Sequence, residues 1–172
     1  MIPRIKNILY ATDLSTNSAY AFRYAVNSAQ RHDARLHILH VIEIASPSTE
    51  GILQWVIGQE KLEKVRGETK ESLTKRIEER LMEFAERELK DDPETLKRVA
   101  SVKVIFGDPA AEILKEIDKP DYDILIVGTH GKGVIEYTFL GSVSEKILHR
   151  VSKPVFIIPL PKGRTDITLR EI

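Results

Sequence analysis

The sequence predicts an α/β fold built on a five-stranded, parallel, doubly wound sheet. Five short apolar runs are separated by segments in which apolar residues recur every three or four positions, the spacing of one helix face. The fourth run ends in a glycine-rich turn that leads into another helix pattern. Because strands that alternate with helices are joined by right-handed crossovers, we expect parallel strands with helices on both faces.

The predicted strands are the five apolar runs themselves. Such dense runs are typical of buried parallel strands, which lie between two layers of helices. They cover residues 8–11, 36–42, 102–105, 124–127 and 155–158.

Helix patterns fill the intervals between these runs. One helix is predicted from about 16 to 31, and a long one from about 60 to 90 with opposite charges four residues apart on its polar faces. Another begins at Asp108-Pro109, since aspartate is a preferred N-cap and proline suits the first helical position. Residues 43–59 are interpreted as a variable connection and 161–172 as a polar tail.

The predicted strand order is 3-2-1-4-5, a Rossmann-like arrangement. Strands 1 and 4 are then neighbours whose connections leave in opposite directions, and ligands of such sheets bind outside the carboxyl ends of those strands. Strand 1 ends at Ala11-Thr12-Asp13 and strand 4 ends at Gly128. Both segments are therefore expected to border one ligand crevice.

The glycines that follow strand 4 indicate a phosphate site. Gly128-Thr129-His130-Gly131 is followed, after nine residues, by Gly141-Ser142 at the start of a helix pattern. Glycine lets the backbone turn sharply and approach an anion without a Cβ atom in the way. Main-chain N–H groups at such a place bind phosphate readily. The Ser142 hydroxyl has three open roles: capping the helix, contacting a phosphate oxygen, or both.

Composition excludes several classes of site and partner. The chain has 26 basic and 26 acidic residues, whereas general binding to nucleic acid or acidic membranes needs a basic surplus. It has no cysteine, which excludes disulfides, thiolate catalysis and cysteine-ligated metals. No apolar run approaches the about 18 residues of a membrane span, so a cytoplasmic protein is expected. Residues 1–172 are expected to form a single domain.

Three motifs together resemble the universal stress protein family, in its nucleotide-binding branch. The segments Ile8 to Ser15 and Lys153 to Pro159 are similar to that family's first and last strands. The resemblance spans residues 5–159 and implies an adenine nucleotide alpha hydrolase-like fold. The family's ATP motif, G-x2-G-x9-G-[ST], is matched without a gap by Gly128, Gly131, Gly141 and Ser142.

The resemblance also implies where an adenine nucleotide would be held. Asp13 would contact the ribose, and the main chain of Val41 would bond the adenine edge. Ala11 and Thr12 precede Asp13 in the same signature, although position 11 is proline in some relatives. The phosphates would be held by the two glycine segments, which comprise Gly128, Thr129, His130, Gly131, Lys132, Gly141, Ser142, Val143 and Ser144.

Three of these side chains have other interpretations. Asp13 can instead cap the first helix, a role for which Ser15 and Thr16 are rivals. Lys132 either meets a phosphate as a point charge or remains solvated. His130 has no serine or aspartate partner beside it and is not expected to act in catalysis.

The last strand predicts a homodimer. Val155-Phe156-Ile157-Ile158 carries no charge, yet it lies at a sheet edge in the predicted order, and exposed apolar edges are usually covered or paired. Two copies meeting about a two-fold axis would bury it, as the family resemblance also implies. The alternative is that residues 161–172 or 43–59 cover the edge within one chain.

The sequence therefore predicts a nucleotide-dependent regulatory or stress-response module that holds ATP, ADP or AMP. It shows no acid–base pair, nucleophile triad or metal cluster, so an enzyme is not the first choice. Two alternatives stay open: a slow ATP hydrolase that uses Mg²⁺ bound with the phosphates, and a dimeric signalling scaffold that binds no nucleotide. Neither nucleic acid nor a membrane is an expected partner.

Overall fold

A computed structural model describes residues 2–43, 70–129 and 140–159. Their strands are β1 (Asn7–Thr12), β2 (Arg35–Glu43), β3 (Val99–Gly107), β4 (Ile124–Gly128) and β5 (Val155–Ile158). Their helices are α1 (Thr16–His32), α2 (Lys70–Glu88), α3 (Pro93–Leu96), α4 (Pro109–Ile117) and α5 (Ser142–Leu148).

The five strands form one parallel sheet in the order β3-β2-β1-β4-β5, which confirms the predicted topology. β1 is central: Ile8 lies opposite Leu36 of β2 on one side and Ile124 of β4 on the other. The direction of the connections reverses between β1 and β4. This register brings Thr12 and Gly128, the last residues of those two strands, to the same edge of the sheet.

Four strands are longer than the apolar runs that predicted them. β3 differs most, since it begins at Val99 and includes the exposed residues Ala100 and Ser101. Ladder hydrogen bonds join main-chain groups, so polar residues at a strand end pair as well as apolar ones. For the same reason Glu43 is the last residue of β2, so a connection predicted to begin at residue 43 was placed one residue early.

Side chains on the two faces of the sheet form two separate apolar clusters. The first packs Tyr10 and its neighbours in the sheet against α1 and α2, where Phe22 lies 5.6 Å from Tyr10 and 5.0 Å from Phe84 between ring centroids. The second packs the other face against α4 and α5, through residues such as Ile113 and Ile147. Burial on both faces explains the continuous apolar character of the strands.

The helix starts follow capping rules that are visible in the sequence. Asp108 caps α4 by accepting a hydrogen bond from the N–H of Ala111 at 2.9 Å, as predicted. Asp92 caps α3, a four-residue helix that was not predicted because it is too short to show a periodic pattern. The described part of the predicted long helix is α2, and residues 60–69 lie outside the described residues.

Within the described residues, no helix is long and apolar enough to cross a membrane. The connection after β2 and the tail at 161–172 lie outside the described residues, as do His130, Gly131 and Lys132.

Candidate functional site

A cavity of about 530 Å³ opens at the carboxyl ends of β1, β2 and β4, beside the starts of α4 and α5. Its volume falls in the range of small-molecule sites, which are concave and mostly apolar with a few placed polar groups. The described residues that line it are Ala11, Thr12, Asp13, Ser18, His40, Val41, Ile42, Glu43, Pro109, Ile113, Val127, Gly141, Ser142, Val143, Ser144 and Ile147.

Asp13 lies in the turn between β1 and α1, and one of its two carboxylate oxygens is fully engaged. Its Oδ1 accepts hydrogen bonds from the N–H of Ser15 at 3.2 Å, from Ser15 Oγ at 2.6 Å and from Ser18 Oγ at 2.5 Å. The N-cap of α1 is Ser15, whose Oγ accepts from the N–H of Ser18. Asp13 is therefore not the cap. One of its oxygens stabilises the capping turn by accepting hydrogen bonds, and the residue also lines the cavity.

The end of β1 is tied to β2 through His40. The Nδ1 of His40 and the carbonyl oxygen of Thr12 are 2.8 Å apart, and because a carbonyl can only accept, Nδ1 carries the proton. His40 is buried, as is its neighbour Val41, whose side chain packs in the second apolar cluster. The two strand ends that form one wall of the cavity are thus held together by a side chain as well as by the ladder.

The start of α5 differs from the three other helix starts whose N-cap residues are described. Its N-cap is Gly141, which offers no side-chain hydrogen bond, whereas Ser15, Asp92 and Asp108 cap α1, α3 and α4. The suggestion that Ser142 caps this helix is therefore wrong, because Ser142 is its first helical residue. The Ser142 side chain is exposed at the mouth of the cavity.

The segments that flank residues 130–139 are joined to each other and to β5. Thr129 donates its N–H to the carbonyl of Ile158 at 3.1 Å and accepts from the N–H of Gly141 at 2.6 Å. Ser144, which is buried, donates its hydroxyl to the carbonyl of Gly128 at 2.8 Å. Strand β4, the start of α5 and the end of β5 thereby meet at one point of the crevice.

The structure brings most of the described candidate residues to one cavity. Ala11, Thr12, Asp13, Val41, Gly141, Ser142, Val143 and Ser144 all line it. Gly128 and Thr129 adjoin it through the hydrogen bonds to Ser144 and Gly141. The sequence did not mark eight further residues that line the cavity: Ser18, His40, Ile42, Glu43, Pro109, Ile113, Val127 and Ile147. A serine three residues after a serine N-cap was the available signal for Ser18, whereas nothing local marked the other seven as site residues.

The described lining combines an apolar floor with carboxylates and hydroxyls. It contains no lysine or arginine, so within the described residues an anion would meet main-chain N–H groups and hydroxyls rather than a cation. Among those same residues no group of three or more His, Asp or Glu is arranged to hold a metal ion. Such a lining suits a ligand with an apolar part, hydroxyl donors for Asp13 or Glu43, and oxygens that accept from N–H groups.

Comparison with known proteins identifies the family to which this chain is related. The model of the universal stress protein family matches residues 4–159. Universal stress protein MJ0577 of Methanocaldococcus jannaschii is 31% identical over 157 residues, covering 89% of this chain and 94% of that one. Universal stress protein YxiE of Bacillus subtilis is 30% identical over 152 residues, covering 88% and 97%.

Solved structures agree with these relationships. The structure of MJ0577 matches with a TM-score of 0.67 at 27% identity, covering 94% of this chain and all of the other. A universal stress protein crystallised in complex with cAMP matches with a TM-score of 0.53 at 20% identity, covering 91% and 98%, a likeness that concerns the fold alone. From the family match, the sequence identity and the sheet topology together, this chain belongs to the universal stress protein family.

Proposed function

We propose that this protein binds an adenine nucleotide, ATP, ADP or AMP, in the crevice at the carboxyl ends of β1 and β4. The observation that carries the proposal is that two segments about 130 residues apart in sequence, Ala11–Asp13 and Gly141–Ser144, line one cavity of about 530 Å³. The cavity lies at the position where doubly wound sheets bind their ligands. A protein of the same fold has been solved with a cyclic nucleotide, so the fold can hold such a molecule.

Each part of a nucleotide has a matching part of the crevice in this proposal. The base would lie against the apolar residues at the end of β2, with the main chain of Val41 at its edge. The ribose would face Asp13, and the phosphates would lie beside Gly141 and Ser142. Gly128, Thr129, His130, Gly131 and Lys132 complete the proposed phosphate loop through the family motif.

The substitution Gly141→Val tests the proposed site. Gly141 has φ −73° and ψ 157°, a conformation open to any residue, so the change adds bulk to the cavity without backbone strain. We expect it to abolish ATP binding in calorimetry while the thermal unfolding curve stays cooperative. Ala100→Val is the matched control, because it adds similar bulk on an exposed part of β3 away from the cavity. A wild-type protein that binds no adenine nucleotide, or a Gly141→Val variant that binds like the wild type, would contradict the assignment.

We further propose that nucleotide occupancy, rather than turnover, is the signal. Fast phosphoryl transfer needs cationic groups on the phosphates and a positioned water. The described lining supplies two carboxylates, Asp13 and Glu43, one of which is already engaged in the capping turn. Lys132 is the one cation in the proposed phosphate loop, and it lies outside the described residues. With Mg²⁺ present we expect hydrolysis far below ordinary enzyme rates of about 1 s⁻¹ or more. A rate in that range for the pure protein would favour the alternative, a Mg²⁺-dependent ATP hydrolase.

The homodimer through β5 is also a proposal, and Phe156 supports it. β5 is an edge strand, and Phe156 is 42% exposed although most large apolar side chains of the sheet are buried. Val155 and Ile157 pack against the second apolar cluster and Ile158 against the first, so these three also serve the monomer. Pairing of two β5 strands would cover Phe156 and the open edge.

Phe156→Glu tests the dimer more cleanly than a substitution such as Ile157→Lys, because Ile157 also packs against the second apolar cluster. We expect the wild type to sediment as a dimer and the variant as a folded monomer. Met82→Glu is the matched control, because Met82 is 38% exposed on α2, away from β5. A monomeric wild type at high micromolar concentration would exclude the dimer.

A further inference from the structure

We propose that Ser18 is a positioning residue: by holding the Asp13 carboxylate in one orientation, it sets how strongly the crevice favours nucleotides with free ribose hydroxyls. The inference rests on the proposed nucleotide site, in which the ribose faces Asp13, and adds to it the role of Ser18. In this proposal Ser18 does not bind the nucleotide. It acts by holding Asp13 in one orientation.

The first support is the number of donors on a single oxygen of Asp13. Oδ1 receives the hydroxyls of Ser15 and Ser18 at 2.6 and 2.5 Å and the N–H of Ser15 at 3.2 Å. A carboxylate oxygen has two lone pairs, so three donors saturate it. Rotation of the carboxylate would break all three bonds at once, and its orientation is therefore fixed.

The second support is that Ser18 holds the backbone of Asp13 as well as its side chain. Ser18 Oγ accepts from the N–H of Asp13 at 3.1 Å while donating to Oδ1. Ser18 is itself anchored, because it is 5% exposed and its carbonyl accepts the hydroxyl of the buried Tyr10 at 2.5 Å. Ser18 thus connects Asp13 to the buried core of the sheet.

The third support is strain in the same turn. Leu14 has a φ of 65°, a left-handed conformation that L-residues adopt at an energetic cost. Its N–H is held by Thr12 Oγ1 at 3.1 Å. Strained residues persist only where their surroundings determine them, and they concentrate at binding sites. Here the serine bonds on Asp13 and the Thr12 bond on Leu14 supply that constraint.

The preference for ribose hydroxyls follows from the second carboxylate oxygen of Asp13, Oδ2. Among the described residues no donor reaches Asp13 Oδ2, and Asp13 lines the cavity. An ionised carboxylate oxygen only accepts hydrogen bonds, so it matches a donor on the ligand. Ribose hydroxyls are such donors, whereas the bridging and terminal oxygens of ionised phosphates are not. A fixed Oδ2 is therefore suited to distinguish a ribonucleotide from one that lacks those hydroxyls.

The experiment measures two ligands on matched variants by calorimetry. For Ser18→Ala we expect the affinity for ATP to fall about five- to tenfold, the effect of one hydrogen bond to a charged group, and the affinity for 2′,3′-dideoxy-ATP to stay at the wild-type value. Ser142→Ala is the control on the phosphate side, and it should weaken both ligands by the same factor. Should Ser18→Ala fail to fold, Ser18→Cys keeps the size of the side chain with a weaker donor and carries the same expectation at a smaller magnitude.

Each other outcome overturns the inference. Equal losses for the two ligands would mean that Ser18 only maintains the general structure, or that Asp13 contacts the base. An unchanged ATP affinity in folded Ser18→Ala would remove its positioning role. If the wild type bound 2′,3′-dideoxy-ATP as tightly as ATP, selection for ribose would be wrong while the nucleotide site stood. If the wild type bound neither ligand, the proposed function itself would fall.

Discussion

The two ends of the sheet both carry charged side chains, and they differ in whether those charges already have partners. At the amino end, the buried carboxylate of Glu116 accepts from Lys103 at 2.9 Å, from Lys119 at 2.6 Å and from the hydroxyl of Tyr122 at 3.0 Å. At the carboxyl end, one oxygen of Asp13 is saturated while the other has no donor among the described residues. The first carboxylate is satisfied by the protein, and the second leaves capacity for a ligand.

The amino-end network, made of Glu116, Lys103, Lys119, Tyr122 and His37, is closed in other ways too. The two ring nitrogens of His37 lie 2.8 Å from Ser101 Oγ and 3.3 Å from Asn7 Oδ1, and its ring meets that of Tyr122 edge to face.

The hydrogen bonds within this network shift the pKa values of its members. Burial alone raises the pKa of Glu116, but the hydrogen bonds from Lys119, Lys103 and Tyr122 outweigh it and hold the pKa below its ordinary value. Burial, together with the bond to Glu116, raises the pKa of Tyr122 to about 12.

The difference indicates how polar groups divide between stability and binding in this fold. Polar atoms that satisfy one another inside a network lower the free energy of the folded state and leave little to offer a ligand. Polar atoms that are held in place but keep an unused hydrogen-bonding position contribute less to stability and can bind a ligand. Substitutions at the amino end should therefore change stability without changing affinity, and substitutions in the crevice should do the reverse.

The largest expected effect is on stability, from Glu116→Ala. We expect the free energy of unfolding to fall by about 2–3 kcal/mol, because a nearly buried carboxylate and its bonds to two lysines are lost. Glu94→Ala is the control: Lys97 binds Glu94 at the same 2.6 Å, but both side chains are largely exposed. That surface pair should contribute no more than about 0.5 kcal/mol.

Urea unfolding measures both variants, and calorimetry with ATP completes the comparison. Nucleotide affinity should be unchanged in Glu116→Ala. A Glu116→Ala variant that lost nucleotide affinity but kept its stability would reverse the comparison between the two ends.

The next expected effect is on affinity, from Ser142→Ala. The Ser142 hydroxyl is exposed and caps nothing, so its removal should leave the unfolding free energy within about 0.5 kcal/mol of the wild type. Binding of ATP should weaken by about 1 kcal/mol or somewhat more, the size of one hydrogen bond to a charged phosphate oxygen. Unaltered ATP affinity would show that the phosphates do not use this hydroxyl.

The smallest expected effect is a pH dependence of stability that comes from His37. Burial and then the charge of Arg35 lower its pKa, while Asp121 and Glu116 act in the opposite direction without reversing the shift. Because the pKa in the folded state lies below the unfolded value of about 6.5, the fold favours the neutral ring. Its contribution is therefore complete above that value and is lost as the pH falls through the folded pKa.

The substitution His37→Gln isolates this contribution. Unfolding free energies measured from about pH 7 down to about pH 5 should fall less steeply in the variant than in the wild type. Glu116, whose pKa is also lowered, destabilises the fold only at more acidic pH, below about 4.5. Parallel curves for the two proteins would contradict the assignment to His37.

Much of the fold was predictable because its signals are local. Continuous apolar runs mark strands buried on both faces, and alternation with helices predicts parallel pairing. The strand order followed from a usual arrangement of doubly wound sheets. Asp108-Pro109 was identified as a helix start because capping depends on neighbouring residues only. Helix α3 was missed, since four residues carry no periodicity.

The candidate site was predictable only in part, for the same physical reason. Glycine spacing and the strand ends marked Asp13, Gly128, Gly141 and Ser142, because turns and helix starts have local sequence requirements. Ser18 and His40 were not marked, since their importance lies in hydrogen bonds to the turn after β1 and to the main chain of another strand. No property of either residue alone reveals those bonds.

By itself, the sequence determined the fold class, the strand order and the family, and it predicted the edge of the sheet at which the candidate site lies. Only the tertiary structure decided that a single oxygen of Asp13 is engaged, that Gly141 rather than Ser142 occupies the N-cap position of α5, and that Glu116 is satisfied by two lysines and a tyrosine. The difference follows from the sequence separation over which each interaction acts. Burial pattern and turn chemistry act between neighbours in the chain, whereas hydrogen-bond partners are chosen by packing among segments that are distant in sequence.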